Sequence, residues 1–227
     1  MKLDRAGNLS ETKYRIDREA QHASLFTTGN GYIGVRGSFE EFASVRIQGA
    51  YIRGYIGEII EVMEPFPDNE YMKNYYIDEE ELKNFEKQES VINLPDFLLI
   101  RFFVGEKPFY PWQGKIRRWS RFLDTHTGVL SRSVEWDDGA GNVTRFRFER
   151  FASYADKHRY VIKASAHAVG HNLPITVWSG IDKRAKTGGQ FVTRQLCESH
   201  WNDTILYESE IDNTYCFGLS LGVRSKI

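Results

Sequence analysis

The chain has 227 residues, 41% of them hydrophobic and 14% aromatic, and carries a formal net charge of -1. That length can bury the core of one large domain or two small ones, and the near-neutral balance gives no general pull towards nucleic acid or acidic lipid. No apolar run approaches the roughly 18 residues of a membrane span, and Met1-Lys2-Leu3-Asp4-Arg5 lacks the apolar core of a secretory signal, so a soluble, cytoplasmic protein without a membrane partner is expected.

Residues 12–17 alternate weakly between apolar and polar and predict an edge strand. The stretch Gly29-Asn30-Gly31-Tyr32-Ile33-Gly34-Val35-Arg36-Gly37 follows, with four glycines in nine residues. Ile33 and Val35 alternate with Gly34 and Arg36, which predicts a tight turn and then a strand. Gly29-x-Gly31-x-x-Gly34 also fits a dinucleotide-binding fingerprint, but that motif needs a helix starting inside the glycines and an acid about twenty residues on. Here the glycines sit among β-formers, and the sequence offers Tyr51-Ile52-Arg53 instead of an acid. Glu40 and Glu41, next in line, are expected on opposite faces of a strand and so not as a catalytic pair.

Residues 42–60 read as strand interrupted by Gly49, Gly54 and Gly57, the pattern of a curved sheet. Near 65–90 the character changes. Pro65-Phe66-Pro67-Asp68-Asn69 is a turn, and Asp78-x-x-Glu81 fits a capping box opening a short helix over 79–88, the only helix predicted, in an acidic surface insertion. Beyond Ser90 strands dominate: 97–104, apolar on both faces and so central, then 115–121 and 129–136 joined through Asp124 to Gly128. Asp137-Asp138-Gly139 invites a catalytic reading, but Asp-Gly between strands is turn chemistry. Thr144, Phe146 and Phe148 then face one way and Arg145, Arg147 and Glu149 the other. The fold class expected is all-β, a single large antiparallel β-sandwich domain over 1–227 with one short helical insertion.

Few of these residues suggest chemistry. His167-x3-His171 lacks a third ligand, so no metal is expected, and Cys197 and Cys216 read as small buried residues. The basic residues between Lys115 and Arg150 are spread over alternating faces, which argues against nucleic acid. Of Trp112, Trp119, Trp136, Trp178 and Trp201, at most one or two should be exposed, where a sugar ring can stack.

The run from Ser24 to Gly37 resembles the opening signature of glycoside hydrolase family 65, the maltose, kojibiose, nigerose and trehalose phosphorylases. Leu123-Asp124 with Gly128-Val129-Leu130-Ser131-Arg132, then Glu149-Arg150-Phe151-Ala152-Ser153, then Ser179-Gly180-Ile181-Asp182 resemble later segments of the same family in the same order. The resemblance is to the family's N-terminal domain, and it implies a galactose-mutarotase-like super-sandwich. It implies an enzyme that cleaves an α-glucosyl disaccharide with inorganic phosphate and inversion, giving glucose 1-phosphate and a sugar, without metal or organic cofactor. The catalytic acid of such enzymes lies in an (α/α)6 barrel, for which this chain lacks the helices. The domain is then expected to support that barrel within one polypeptide, to help form a homodimer, and to turn over no substrate alone. Glu149-Arg150 and Asp182 are expected in buried charge pairs or turns. Asn30, Tyr32, Arg36 and Asp182 are the candidates for a domain interface or sugar-site support, because turns at sandwich ends meet partners. A stand-alone carbohydrate-binding module and a mutarotase-like enzyme, with a histidine and a carboxylate meeting in a concave face, are the alternatives.

Overall fold

In a computed structural model the structure describes residues 1–41, 48–59, 88–185, 187, 193–201, 203–211 and 215–223. The first strands are β1 (Lys2–Leu3), β2 (Leu9–Glu11), β3 (Thr28–Gly29), β4 (Ile33–Val35), β5 (Ala50–Ile52), β6 (Ile56–Ile59) and β7 (Gln88–Val91). Then come β8 (Ile100–Val104), β9 (Lys107–Pro108), β10 (Lys115–Asp124), β11 (Val129–Asp137), β12 (Val143–Ala152), β13 (Tyr160–Val169) and β14 (Ile175–Ser179). The last are β15 (Thr193–Trp201), β16 (Thr204–Ile211) and β17 (Tyr215–Gly222). A 3-10 turn at Ile16–Arg18 runs into helix α1, Glu19–Leu25.

The chain divides into two compact units, one of Met1–Arg53 with Pro95–Lys183 and one of Gly54–Leu94 with Arg184–Ile227. In the first, a six-stranded antiparallel sheet has the order β1-β2-β10-β11-β12-β13, beside three-stranded sheets β14-β8-β9 and β3-β4-β5. In the second, β15-β16-β17 form an antiparallel meander and β6 pairs with β7. The fold is an antiparallel all-β sandwich.

Register explains the core of the first unit. Trp119 lies opposite Val134 and Val134 opposite Phe146, so one face of β10, β11 and β12 presents an apolar strip. Phe39, Phe102, Val104 and Phe109 close over Trp119, Val134, Trp136, Phe146 and Phe148 as a single buried cluster. Phe109 stacks on Phe146 with centroids 4.0 Å apart, and Phe102 lies 5.3 Å from the same ring. Burial of each such side chain contributes on the order of 1.5–3 kcal/mol. The alternation expected at 144–149 is realised: Thr144, Phe146 and Phe148 are buried while Arg145 and Arg147 are exposed.

Asp137 and Asp138 make a turn, as expected. Asp137 Oδ1 accepts from Gly139 N and Gly141 N, and Asp138 Oδ1 from Ala140 N and Asn142 N.

Three expectations are corrected. Residues 12–17 are not a strand; the nearest strand is β2, which lies between β1 and β10, and helix α1 follows shortly after. Its inward face is Glu19, His22, Ala23 and Phe26, a helical period in which two of four members are polar, so hydrophobicity alone does not display it. The central strand begins at Ile100 rather than 97, although it does lie between β14 and β9. Cys197 is exposed rather than buried. The helix expected at 79–88 lies outside the described residues.

Because Phe146 is wholly enclosed, Phe146→Ala should lower the unfolding free energy by about 3–5 kcal/mol. Arg147→Ala, on the outer face of the same strand, should change it by no more than about 0.5 kcal/mol. Urea denaturation of both variants checks the contrast.

Candidate functional site

The glycine stretch is a hairpin. β3 and β4 pair through Thr28 with Val35 and Gly29 with Gly34, and Gly31 takes φ +84° in the turn between them. Asn30 holds that turn: its Oδ1 accepts from Tyr32 N at 3.0 Å and Ile33 N at 2.8 Å. Its Nδ2 donates to Ser153 O at 2.6 Å and Lys157 O at 3.1 Å, joining the hairpin to the loop after β12. The half-buried Tyr32 ring meets His158 edge-on at 4.4 Å, with Lys157 Nζ 5.2 Å from its centroid. No helix begins between Gly31 and Gly34, so the dinucleotide fingerprint is excluded on geometry.

After β4 the chain is tied to α1. Arg36 Nη2 donates to Ala20 O at 3.0 Å and Ser24 Oγ at 2.6 Å, and Gly37 N donates to Ala23 O at 2.6 Å. A Cβ on Gly37 would lie 2.5 Å from Phe26 Cβ and 2.8 Å from Phe26 O, so only glycine permits this approach.

Residues 38–41 leave strand geometry, and this overturns the expectation that Glu40 and Glu41 diverge. Both converge on one guanidinium: Arg132 Nη2 donates to Glu40 Oε2 at 2.6 Å and to Glu41 Oε1. Arg150 Nη1 lies 3.1 Å from Glu40 Oε1, and its Nη2 donates to Arg36 O at 3.2 Å. Beside them Arg121 Nε donates to Glu11 Oε2 at 2.8 Å, while its two terminal nitrogens reach Glu19 at 3.0 and 3.1 Å. The Phe39 ring lies between two of these cations, 5.1 Å from Arg121 Cζ and 4.7 Å from Arg132 Cζ. Three guanidiniums thus meet four carboxyls, Glu11, Glu19, Glu40 and Glu41, and all seven are buried.

Burial pushes Glu41 up to about 7, Arg132 opposing it and Glu40 adding to it. Burial likewise raises Glu19 to about 7 against the pull of Arg121. Glu40 goes the other way: its burial is outweighed by Arg150 and Arg132, which hold it below the usual carboxylate range. Asp96, raised to about 6 by burial, accepts from Gln48 Nε2 and from Leu98 N. It exchanges two backbone hydrogen bonds with Asp182, at 2.7 and 2.8 Å.

The four candidate interface residues therefore fall into three sets of partners. Asn30 and Tyr32 share the hairpin tip, Arg36 is fastened to α1, and Asp182 forms a bridge with Asp96. The ionic centre was missed because its arginines look like ordinary strand charges. The signal was their phase: Arg121 falls in step with Trp119 and Leu123, Arg132 with Leu130 and Val134, and Arg150 with Phe148 and Ala152, which places each on the buried face. Glu149 beside Arg150 points outward, towards Arg147 and Lys163.

The void beside the charges measures about 10 Å3, far too small for a sugar ring. His22 Nδ1 and Glu11 Oε1 lie 2.9 Å apart beside a cleft of about 320 Å3, but their side chains are only 5% and 2% exposed, so the pair does not face a ligand. Among the described residues no group of three His, Cys, Asp or Glu is placed to hold a metal, and no helix is long and apolar enough to cross a membrane. Trp119 and Trp136 are core, whereas Trp112 and Trp178 are 38% and 61% exposed.

Glu19 and Glu41 hold protons more tightly folded than unfolded, so their ionisation costs stability. Their contribution is complete below the ordinary glutamate value of 4.5 and is lost as pH rises through about 7. Glu40 has the opposite sign, its contribution being lost on acidification. The unfolding free energy should therefore fall between about pH 5 and pH 8, and Glu41→Gln should flatten that fall; an unchanged slope in denaturation curves across the range would contradict it.

The family model "Glycosyl hydrolase family 65, N-terminal domain" matches residues 9–224. The chain is 55% identical over 219 residues to 3-O-alpha-D-glucosyl-L-rhamnose phosphorylase of Lachnoclostridium phytofermentans, covering 96% of this chain and 28% of that protein. It is 30% identical to an alpha,alpha-trehalose phosphorylase of Thermoanaerobacter brockii, over 77% of this chain and 21% of the other. A solved structure assigned as a kojibiose phosphorylase from the human microbiome superposes with a TM-score of 0.74 at 18% identity, covering 91% of this chain and 26% of that one, which shows the shared fold. The chain thus spans between about a fifth and three tenths of the length of these proteins. With the match running from residue 9 to residue 224, it belongs to the N-terminal domain family of glycosyl hydrolase family 65.

Proposed function

We propose that this chain is the non-catalytic N-terminal sandwich of an inverting disaccharide phosphorylase acting on 3-O-α-D-glucosyl-L-rhamnose. The observation that carries this reading is the 55% identity over 96% of the chain to a phosphorylase of that disaccharide, against 30% to a trehalose phosphorylase. In the reaction an oxygen of inorganic phosphate bonds to the glucosyl anomeric carbon as the bond to the rhamnose oxygen breaks. A carboxylic acid in the (α/α)6 barrel of the same polypeptide gives that oxygen its proton. Attack from the face opposite the leaving group turns an α-glucoside into β-glucose 1-phosphate, and neither metal nor organic cofactor takes part.

The sandwich supports the barrel and a homodimer in the cytoplasm. Its contact surface is the hairpin tip with Asn30 and Tyr32, together with Arg36 and the segment at Asp182. The burial of every strongly shifted carboxyl of the ionic centre, beside a void of about 10 Å3, supports a role in holding structure rather than in turnover.

The polypeptide that includes the barrel should release β-glucose 1-phosphate and rhamnose from this disaccharide and phosphate, and the 227 residues alone should release none. Release of glucose instead, a stronger preference for trehalose, or turnover by the 227 residues alone would overturn the reading. Arg36→Ala in the longer polypeptide should lower activity on the order of tenfold by loosening the docked hairpin; unchanged kinetics and stability would remove Arg36 from the contact surface.

A further inference from the structure

Beside the ionic centre lies a small void of about 10 Å3 whose lining includes Ser38, Phe39, Glu40, Arg121, Arg132 and Arg150. Four polar atoms of these lining residues are buried and have no hydrogen-bond partner: Ser38 Oγ, Arg132 Nη1, Arg150 Nε and Arg150 Nη1, the last of which is ion-paired with Glu40 Oε1 at 3.1 Å. Ser38 is 2% exposed, Arg132 4% and Arg150 1%. The other ends of both guanidiniums are engaged, Arg132 Nη2 by Glu40 and Glu41 and Arg150 Nη2 by Arg36 O. An unmet N–H of a buried guanidinium is among the more expensive defects a protein interior can carry.

We propose that this void is a binding site for one internal water molecule, held by Ser38 Oγ, Arg132 Nη1 and Arg150 Nε. The volume is that of about one water-sized sphere, and a buried water makes about three hydrogen bonds to groups otherwise unsatisfied. Its oxygen accepts from the two guanidiniums, and one of its protons goes to Ser38 Oγ, whose own hydroxyl proton is free to rotate to a second acceptor. A halide accepts hydrogen bonds but donates none, whereas water accepts from the guanidiniums and donates to Ser38 Oγ. The water joins the Arg132 pair to the Arg150 pair and to the segment that follows the glycine hairpin.

Crystals of the protein at a resolution that reveals ordered water should show one peak at about 2.7–3.2 Å from each of the three atoms, and the same crystals soaked in sodium bromide should give no anomalous signal there. An absent peak, or a bromide signal at that position, would overturn the site. Ser38→Ala supplies an independent readout. If the hydroxyl is bonded to water its loss should lower the melting midpoint by roughly 2–4 °C. If the void is dry, the same change removes a buried unpaired group, and the midpoint stays or rises, which would also overturn the site.

Discussion

Arg121 and Arg132 stand directly opposite each other on neighbouring strands, on the face that is turned away from water. Like charges in that relation repel across a sheet, and bulk solvent reaches neither there. β10 and β11 therefore cannot settle into this register by themselves. They need carboxylates delivered from elsewhere: Glu11 from β2, Glu19 from α1, and Glu40 and Glu41 from the segment after the hairpin. The sheet, the helix and the glycine stretch are mutually conditional, and the shared currency is buried charge.

This constraint gives the family-like segments a common physical purpose. Glu40 and Glu41 belong to the stretch that follows the glycines, Arg132 to the second segment and Arg150 to the third, and the three meet within hydrogen-bonding distance. Asp182, from the fourth, bonds to Asp96, whose pKa is raised chiefly by burial, with Asp182 and Glu40 adding to the rise and Arg150 opposing it. Gly37 is required for the same reason at one remove, because its close approach to Phe26 brings the acids to the arginines. Buried ion pairs are poor sources of net stability compared with well-packed apolar groups, but breaking one partner is costly. Such a centre selects one arrangement of segments more than it adds to the depth of the fold.

Much of the fold was legible because the sheet writes its period into the sequence. Phe146 and Phe148 against Arg145 and Arg147 is a two-residue alternation that only a strand explains, and Asp137-Asp138-Gly139 is a turn whatever its neighbours. The helix was not legible, since Glu19 and His22 occupy its inward face and are paid for by partners distant in sequence. The ionic centre was half legible. Arginines in phase with apolar neighbours mark the strands on which it is built, but nothing local says which acids complete it. Glu40 and Glu41 converge because the chain leaves β4 before reaching them, a choice imposed by Gly37 packing on α1 and not by their own propensities.

The most direct test of this account is a double-mutant cycle between Arg132→Met and Glu40→Gln, read by urea denaturation. Segments held together through this pair predict a coupling energy of about 1–3 kcal/mol, with each single variant losing more than half of what the pair loses together. Additive losses, with no coupling beyond about 0.3 kcal/mol, would show that the glycine stretch and the sheet find their places independently of the charges between them.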